Sequence, residues 1–271
     1  MLERTLAEDR LKSKEIIELK QIINGSKPKS KVYVEVNPGE EITVPAKKGQ
    51  TSVNFIFTHM ETYNRKSPSQ SKKSPFLPPF ETGQFITDLS ETHRLLYNKR
   101  PVVDNHLLIV TSSFEEQTDP LNLHDFSAAY KVLLTMNGVC YFNSGRHSGS
   151  TQPHKHLQWI PKPKEDKSEI VTLLDEEVIL HEKPFRWPIY SFAHLIAPLP
   201  NFEGINNYDE IGARLVELYL EMMENLKIKK KIDSHNLVMD EKWMMVVKRS
   251  KENTFHNINV NAIAFAGRIS L

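Results

Sequence analysis

Cysteine is almost missing from this chain: Cys140 is the only one in 271 residues. No internal disulfide can form, and a secreted, disulfide-stapled module is excluded. Long apolar runs are missing too. No stretch of about 18 apolar residues is present to cross a bilayer as a helix, and no charged start with a short apolar core marks a signal peptide. A cytoplasmic location with no membrane partner is expected. Neither charge is in excess, because Lys plus Arg number 35 against 34 for Asp plus Glu, a formal net charge of +1. Neutralising many phosphates along a duplex takes a larger surplus, so nucleic acid is not an expected partner. What the chain does have is length and 39% hydrophobic content, enough for one large domain or two coupled ones. It also has 11 histidines, the side chains that most easily act as acid, base, nucleophile or ligand near neutral pH.

Along the chain, Leu6, Ile16, Leu19 and Ile23 recur among charged residues before Asn24-Gly25, which predicts an amphipathic first helix over 2–23. β-branched alternations predict strands over Val32–Val44 and Val53–Thr58. A Ser-, Lys- and Pro-rich stretch over 64–79 predicts a long loop. His106–Thr111 reads as a buried strand. Phe126, Tyr130, Leu133 and Leu134 read as a helix ending at Asn137-Gly138. Strands are expected at Val139–Asn143 and Pro153–Ile160, a long helix at about Tyr208–Ile228, and closing strands at 236–239, 243–248 and 258–265. Short antiparallel-type strands mixed with a few long helices predict an α+β fold rather than a doubly wound sheet.

The informative window runs from Tyr141 to Pro161. If 153–160 is extended, His154, His156 and Gln158 share one face, because strand side chains alternate with period 2. Just before them, Ser144, Gly145, Ser148, Gly149, Ser150 and Thr151 form a segment of small residues. Their backbone N–H groups and hydroxyls can approach an anion closely. Three readings remain open for His-x-His: two structural histidines on a strand, a metal site short of further ligands, or an imidazole that attacks phosphorus.

The same window resembles the histidine-triad superfamily, and specifically its transferase branch, where the motif reads His-x-His-x-Gln. Within that branch, Tyr141–Gln158 is similar to the diadenosine tetraphosphate phosphorylase (ATP adenylyltransferase) family. Leu96-Tyr97-Asn98-Lys99, His106–Thr111, Ser234–Met239 and Lys242–Arg249 extend the resemblance over most of the chain from about Pro75. The resemblance implies a histidine-triad-like antiparallel sheet flanked by helices, with a C-terminal α/β extension packing on the same site. It divides the chain into a catalytic region over 1–165 and a C-terminal region over 183–271. It implies His156 as the nucleophile on the α-phosphate, Gln158 as a donor to the phosphate oxygens and His154 as the residue orienting the strand. Asn143, Ser144, Gly149, Ser150, Thr151 and Gln152 would hold phosphates, Asn98 and Lys99 would reach the nucleotide, and Met244 and Lys248 would close the site. Expected partners are a dinucleoside polyphosphate, ATP, ADP and inorganic phosphate, acting on a monomer. No cofactor is covalently bound, no metal is held by protein ligands, and Mg²⁺ accompanies the polyphosphate. The shared motif leaves two alternatives open: a nucleotide-sugar phosphorylase or uridylyltransferase, and a non-catalytic sensor of dinucleoside polyphosphates.

Overall fold

In the computed structural model, residues 2–25, 40–44, 53–58, 74–162, 170–251 and 260–270 are described. Helix α1 spans Leu2–Gly25 and is followed by strands β1 (Glu40–Val44), β2 (Val53–Thr58), β3 (Phe85–Asp88), β4 (His93–Tyr97) and β5 (Leu107–Thr111). Helix α2 (Leu123–Thr135) precedes β6 (Gly138–Ser144), a 3₁₀ turn at Arg146–Ser148 and β7 (His156–Pro161). Then come α3 (Ile170–Val178), β8 (His194–Pro198), α4 (Tyr208–Asn225), β9 (His235–Met239), β10 (Trp243–Lys248), α5 (Ala262–Phe265) and β11 (Arg268–Ser270).

Eight of the strands form one sheet in the order β3-β4-β5-β7-β6-β9-β10-β8, and every neighbouring pair in it is antiparallel. Strands from both halves of the chain meet at β6 and β9, so the sheet is continuous across them. β1, β2 and β11 make a second, three-stranded sheet. The architecture is α+β, as the element pattern predicts.

Period-2 alternation sorts the sheet into two faces. One face carries Leu95, Leu107, Ile109, Leu157, Trp159, Cys140, Phe142, Leu237, Met239, Met244 and Val246, in one apolar cluster with residues of α1, α2 and α4. Helix α2 starts where it does because Asn122 caps it: its side chain accepts from the His124 and Asp125 N–H groups, and Asp125 reaches back to the Asn122 N–H. That capping box satisfies donors the first turn would otherwise orphan. Helix α4 turns Ile211, Leu215, Tyr219 and Met222 inward, each worth about 1.5–3 kcal/mol of burial. On the other face, Val139, Tyr141, Ile160, Val238 and Met245 pack with α3 and α5, while Leu96, Leu108 and Val110 pack under Phe76.

The expected strand over 258–265 is replaced at Ala262–Phe265 by a helical turn. The Asn261 side chain accepts the Ile263 N–H, and the Ala262 N–H is taken by a side chain of the large sheet, so both early donors have partners without a ladder. Residues 32–39, 64–73 and 258–259 of the expected elements lie outside the described residues. No pattern in the sequence marks β3, β8, β11 or α3. Among the described residues no helix is long and apolar enough to cross a membrane.

Candidate active site

β7 lies between β5 and β6, with Val110 opposite His156 and Leu108 opposite Gln158 on one side, and Tyr141 opposite Gln158 on the other. Beyond Tyr141 the two strands part. The side chain of Gln117 fills the gap, its Oε1 accepting the His156 N–H at 2.8 Å and its Nε2 donating to the carbonyls of Asn143 (2.9 Å) and His156 (3.2 Å). No pattern in the sequence singles out Gln117, because its polar neighbours read as an ordinary loop.

His154 is fully buried, and both ring nitrogens are engaged. Nε2 lies 3.0 Å from the Thr111 carbonyl, which can only accept, so Nε2 carries the proton. Nδ1 then accepts from the Ser74 hydroxyl at 2.6 Å. His156 is tethered differently. Its Nδ1 lies 2.8 Å from the His154 carbonyl, which fixes the proton on Nδ1 and leaves the lone pair on Nε2. Among the described residues that nitrogen has no protein hydrogen-bond partner. Burial pushes the His156 pKa down to about 4, against the opposing pull of the hydrogen bond to the His154 carbonyl, so the ring is neutral near pH 7.

Two amides stand near this imidazole. Gln158 accepts at Oε1 from the Tyr141 hydroxyl and lies 2.8 Å from His106 Nε2. Asn143 accepts at Oδ1 from the Ala262 N–H (2.9 Å) and from Asn236 Nδ2 (2.7 Å). Between β6 and β7 the chain makes its small-residue excursion. Gly145 has φ +82, and a Cβ there would stand 2.6 Å from the Ser234 hydroxyl. Ser148 closes the 3₁₀ turn onto the Gly145 carbonyl, and Gly149 ends it in the left-handed region at φ 84. Among the described residues, the N–H groups of Ser150, Thr151 and Gln152 meet no protein acceptor. Ser144 is buried, whereas Arg146 and His147 are exposed.

Asn98 follows β4 and donates from Nδ2 to His106 Nδ1 at 3.2 Å. Lys99 is paired with Glu81. The structure does not bring Met244 or Lys248 to this face. Met244 is in the cluster under α2 and α4, and Lys248, of the same parity on β10, donates to the Lys227 carbonyl just past α4. The basic residue that does reach the histidine face is Arg249, whose guanidinium donates to Asn236 Oδ1 at 2.6 Å and to the Val260 carbonyl. The sequence missed it by one residue, because strand parity on β10 depends on the register through β6 and β9. Among the described residues no group of three or more His, Cys, Asp or Glu side chains is arranged to hold a metal ion.

A neutral imidazole whose Nε2 lone pair meets no partner among the described residues, on a sheet face shared with amides whose oxygens are already taken and beside a loop of bare N–H groups, has the chemistry suited to handling a phosphate. The comparisons with known proteins make that reading specific. Residues 43–176 match the Ap4A phosphorylase N-terminal domain and residues 188–271 the ATP adenylyltransferase C-terminal domain. Diadenosine 5',5'''-P1,P4-tetraphosphate phosphorylase 2 of Saccharomyces cerevisiae is 30% identical over 240 residues, 76% of this chain and 70% of the relative. Protein APA1 of the same yeast is 28% identical over 258 residues, 84% and 78% of the two chains. The chain belongs to the Ap4A phosphorylase family. The crystal structure of yeast Ap4A phosphorylase Apa2 superposes with a TM-score of 0.73 at 25% identity, covering 93% of this chain and 89% of that one. Apa2 in complex with Ap4A gives 0.72 at 25% identity over 93% and 88%.

Proposed function

We propose that this chain is a nucleotidyltransferase that cleaves diadenosine tetraphosphate with inorganic phosphate, yielding ATP and ADP through a nucleotidyl-histidine. The observation that carries the reading is the tautomer of His156. Its Nδ1–H is spent on the His154 carbonyl, so the Nε2 lone pair is the one available to attack the α-phosphorus. Attack forms the N–P bond and breaks the bond from that phosphorus to the bridging oxygen, releasing ATP. Phosphate then attacks the same phosphorus, breaks the N–P bond and releases ADP. Splitting one displacement into two in this way is what a nucleophilic side chain contributes.

Gln158 is the proposed donor to the non-bridging oxygens as charge develops on them. His154 is a positioning residue, its carbonyl holding the nucleophile and its ring fastened to Thr111 and Ser74. Asn143, Ser150, Thr151 and Gln152, with Gly149 setting the turn, form the proposed phosphate cradle; Ser144 shapes its entry from β6. Asn98 and Lys99, just past β4, are the proposed contacts to the nucleotide. A leaving polyphosphate and an attacking phosphate are acidic enough to travel as anions, so a glutamine in place of a proton donor suits phosphorolysis better than hydrolysis. Mg²⁺ belongs to this reading as part of the substrate, bound to the polyphosphate. A monomer in the cytosol completes it; one cysteine forms no internal disulfide, which fits a reducing compartment.

The test offers diadenosine tetraphosphate, a GDP-hexose and a UDP-hexose, each with phosphate, and reads the nucleoside diphosphate released. Turnover of only a sugar nucleotide would overturn the reading. Mass spectrometry after incubation with diadenosine tetraphosphate alone should find an AMP-sized adduct that His156→Ala abolishes. Binding without any adduct would identify a sensor instead.

A further inference from the structure

A side-chain amide has no visible sense of direction, because its oxygen and nitrogen are alike in shape. Around Gln158 the direction can be worked out from backbone donors. The Arg100 N–H can only donate, and it donates to Asn98 Oδ1 at 2.9 Å. Asn98 therefore presents Nδ2, which lies 3.2 Å from His106 Nδ1 and 3.3 Å from Nε2 and so does not choose between them; the Val102 backbone N–H does. It donates to Nδ1 at 3.3 Å. With Nδ1 accepting, the single proton of the neutral ring sits on Nε2, and the atom of Gln158 that faces it at 2.8 Å must be the oxygen. The Tyr141 hydroxyl donates to that same oxygen at 2.9 Å and lies 3.0 Å from His106 Nε2. Both lone pairs of the Gln158 carbonyl are thus occupied, and its two N–H bonds point the other way. Reversing the amide would set N–H against N–H at the 2.8 Å separation from His106 Nε2.

We propose that His106 is a positioning residue of the reaction: backed by Asn98, Val102 and Tyr141, it holds the Gln158 amide so that its N–H groups face the phosphates bound at His156. The inference rests on the nucleotidyl-transfer reading above and assigns a role to a histidine that reading leaves idle. Burial lowers the His106 pKa to about 3, so the ring keeps one donor and one acceptor throughout the neutral range. A donor fixed before charge develops needs no reorganisation in the transition state, which is where such donors have their effect.

The test measures the first half-reaction in a single turnover, with diadenosine tetraphosphate and no phosphate, followed by steady-state kcat and KM with phosphate. His106→Leu should slow adenylylation by about 10- to 100-fold, less than the about 10²–10³ lost when such a donor is removed outright, and KM should hardly move. In a Gln158→Ala background the same substitution should cost less than about twofold, because the groups act as one unit. Tyr141→Phe removes one hydroxyl without changing shape; it should give a smaller loss that also vanishes in the Gln158→Ala background, and it carries the test if His106→Leu does not fold. Equal losses with and without Gln158 would mean a purely structural role and overturn the proposal. If the unsubstituted chain forms the adduct and His106→Leu and Tyr141→Phe form it just as fast, only the positioning role fails. If the unsubstituted chain forms no adduct, the nucleotidyl-transfer reading falls and takes this one with it.

Discussion

The side chain of Gln117 and the backbone of His156 bind each other in both directions: Oε1 accepts the His156 N–H at 2.8 Å while Nε2 donates to the His156 carbonyl at 3.2 Å. Gln117 stands in for a missing stretch of β6 and lets β6 and β7 separate just where the phosphate loop leaves and returns. Truncation to Ala strands a buried N–H and two buried carbonyls, each costing about 1–3 kcal/mol when left unpaired. Gln117→Ala should therefore lower the unfolding free energy by at least about 3 kcal/mol and lower kcat, since the nucleophile loses its frame. Urea denaturation and steady-state kinetics check this. A stability loss with kcat untouched would show that the frame does not matter to the chemistry.

Acid should unfold the protein earlier than its carboxylates alone would. Burial lowers His106 from an ordinary 6.5 to about 3 and His156 and His235 to about 4. Below pH 6.5 the unfolded chain takes up these protons and the folded chain does not, so stability falls as pH drops from 6.5 toward 4. Asp240 works in the opposite sense: burial raises it to about 6, so the folded form binds that proton first. Three histidines against one carboxyl leave a net of at least two protons, since burial also lowers His154 and His194, or no less than about 2–3 kcal/mol per pH unit near pH 5. Denaturation at pH 7, 6 and 5 reads this directly, and a flat profile would refute it. The same low pKa means that the adenylylation rate should not fall between pH 8 and 6 through His156, whereas a histidine at its ordinary value would be half protonated at pH 6.5.

Much of this site is legible from residue order alone. Alternation places His154, His156 and Gln158 on one face, and the structure has them there: β7 starts only at His156, but the isolated bridge of His154 to Glu116 continues the extended backbone and Phe76 packs on both imidazoles. The small-residue loop is legible because left-handed backbone at Gly145 and Gly149 demands glycine. Contacts made across the sheet are not legible in this way. Which face Met244 or Arg249 takes depends on register carried through two other strands, and Gln117 acts through a position 39 residues from His156. The helical turn at Ala262 is hidden for the same reason, since it is secured by the Asn143 side chain 119 residues away.

Lys155, between the two histidines, points to the opposite face and is buried. Its ammonium lies 2.6 Å from Asp125 and 3.0 Å from Glu115, and Asp125 also meets His93 at 3.0 Å. Burial pushes the Asp125 carboxyl up, but the His93 hydrogen bond and the Lys155 charge outweigh it and hold the group below its ordinary value. Lys155→Met leaves that carboxylate under-compensated and should cost about 3–5 kcal/mol. Adding Asp125→Asn removes the stranded charge while an amide oxygen still caps α2, so the double variant should recover part of the loss. A double variant less stable than Lys155→Met would mean the pair is not the unit that matters.

Neighbouring basic residues on β10 and just beyond it should behave in opposite ways. Lys248 turns toward the end of α4, where it meets the Lys227 carbonyl and, at 3.5 Å, Asp233. It is partly exposed, and pairs of this kind are worth about 0–1 kcal/mol. Arg249 instead donates to Asn236 Oδ1, and Asn236 donates in turn to Asn143 Oδ1 and the Ser148 carbonyl. One guanidinium thereby steadies both the Asn143 amide and the loop that leaves β6. Arg249→Ala should raise KM for diadenosine tetraphosphate by about tenfold, the equivalent of roughly 1.4 kcal/mol, while Lys248→Ala should change it by less than about twofold. Kinetics of the two variants side by side decide the matter, and a larger effect at Lys248 would place the binding surface on the other face of the sheet.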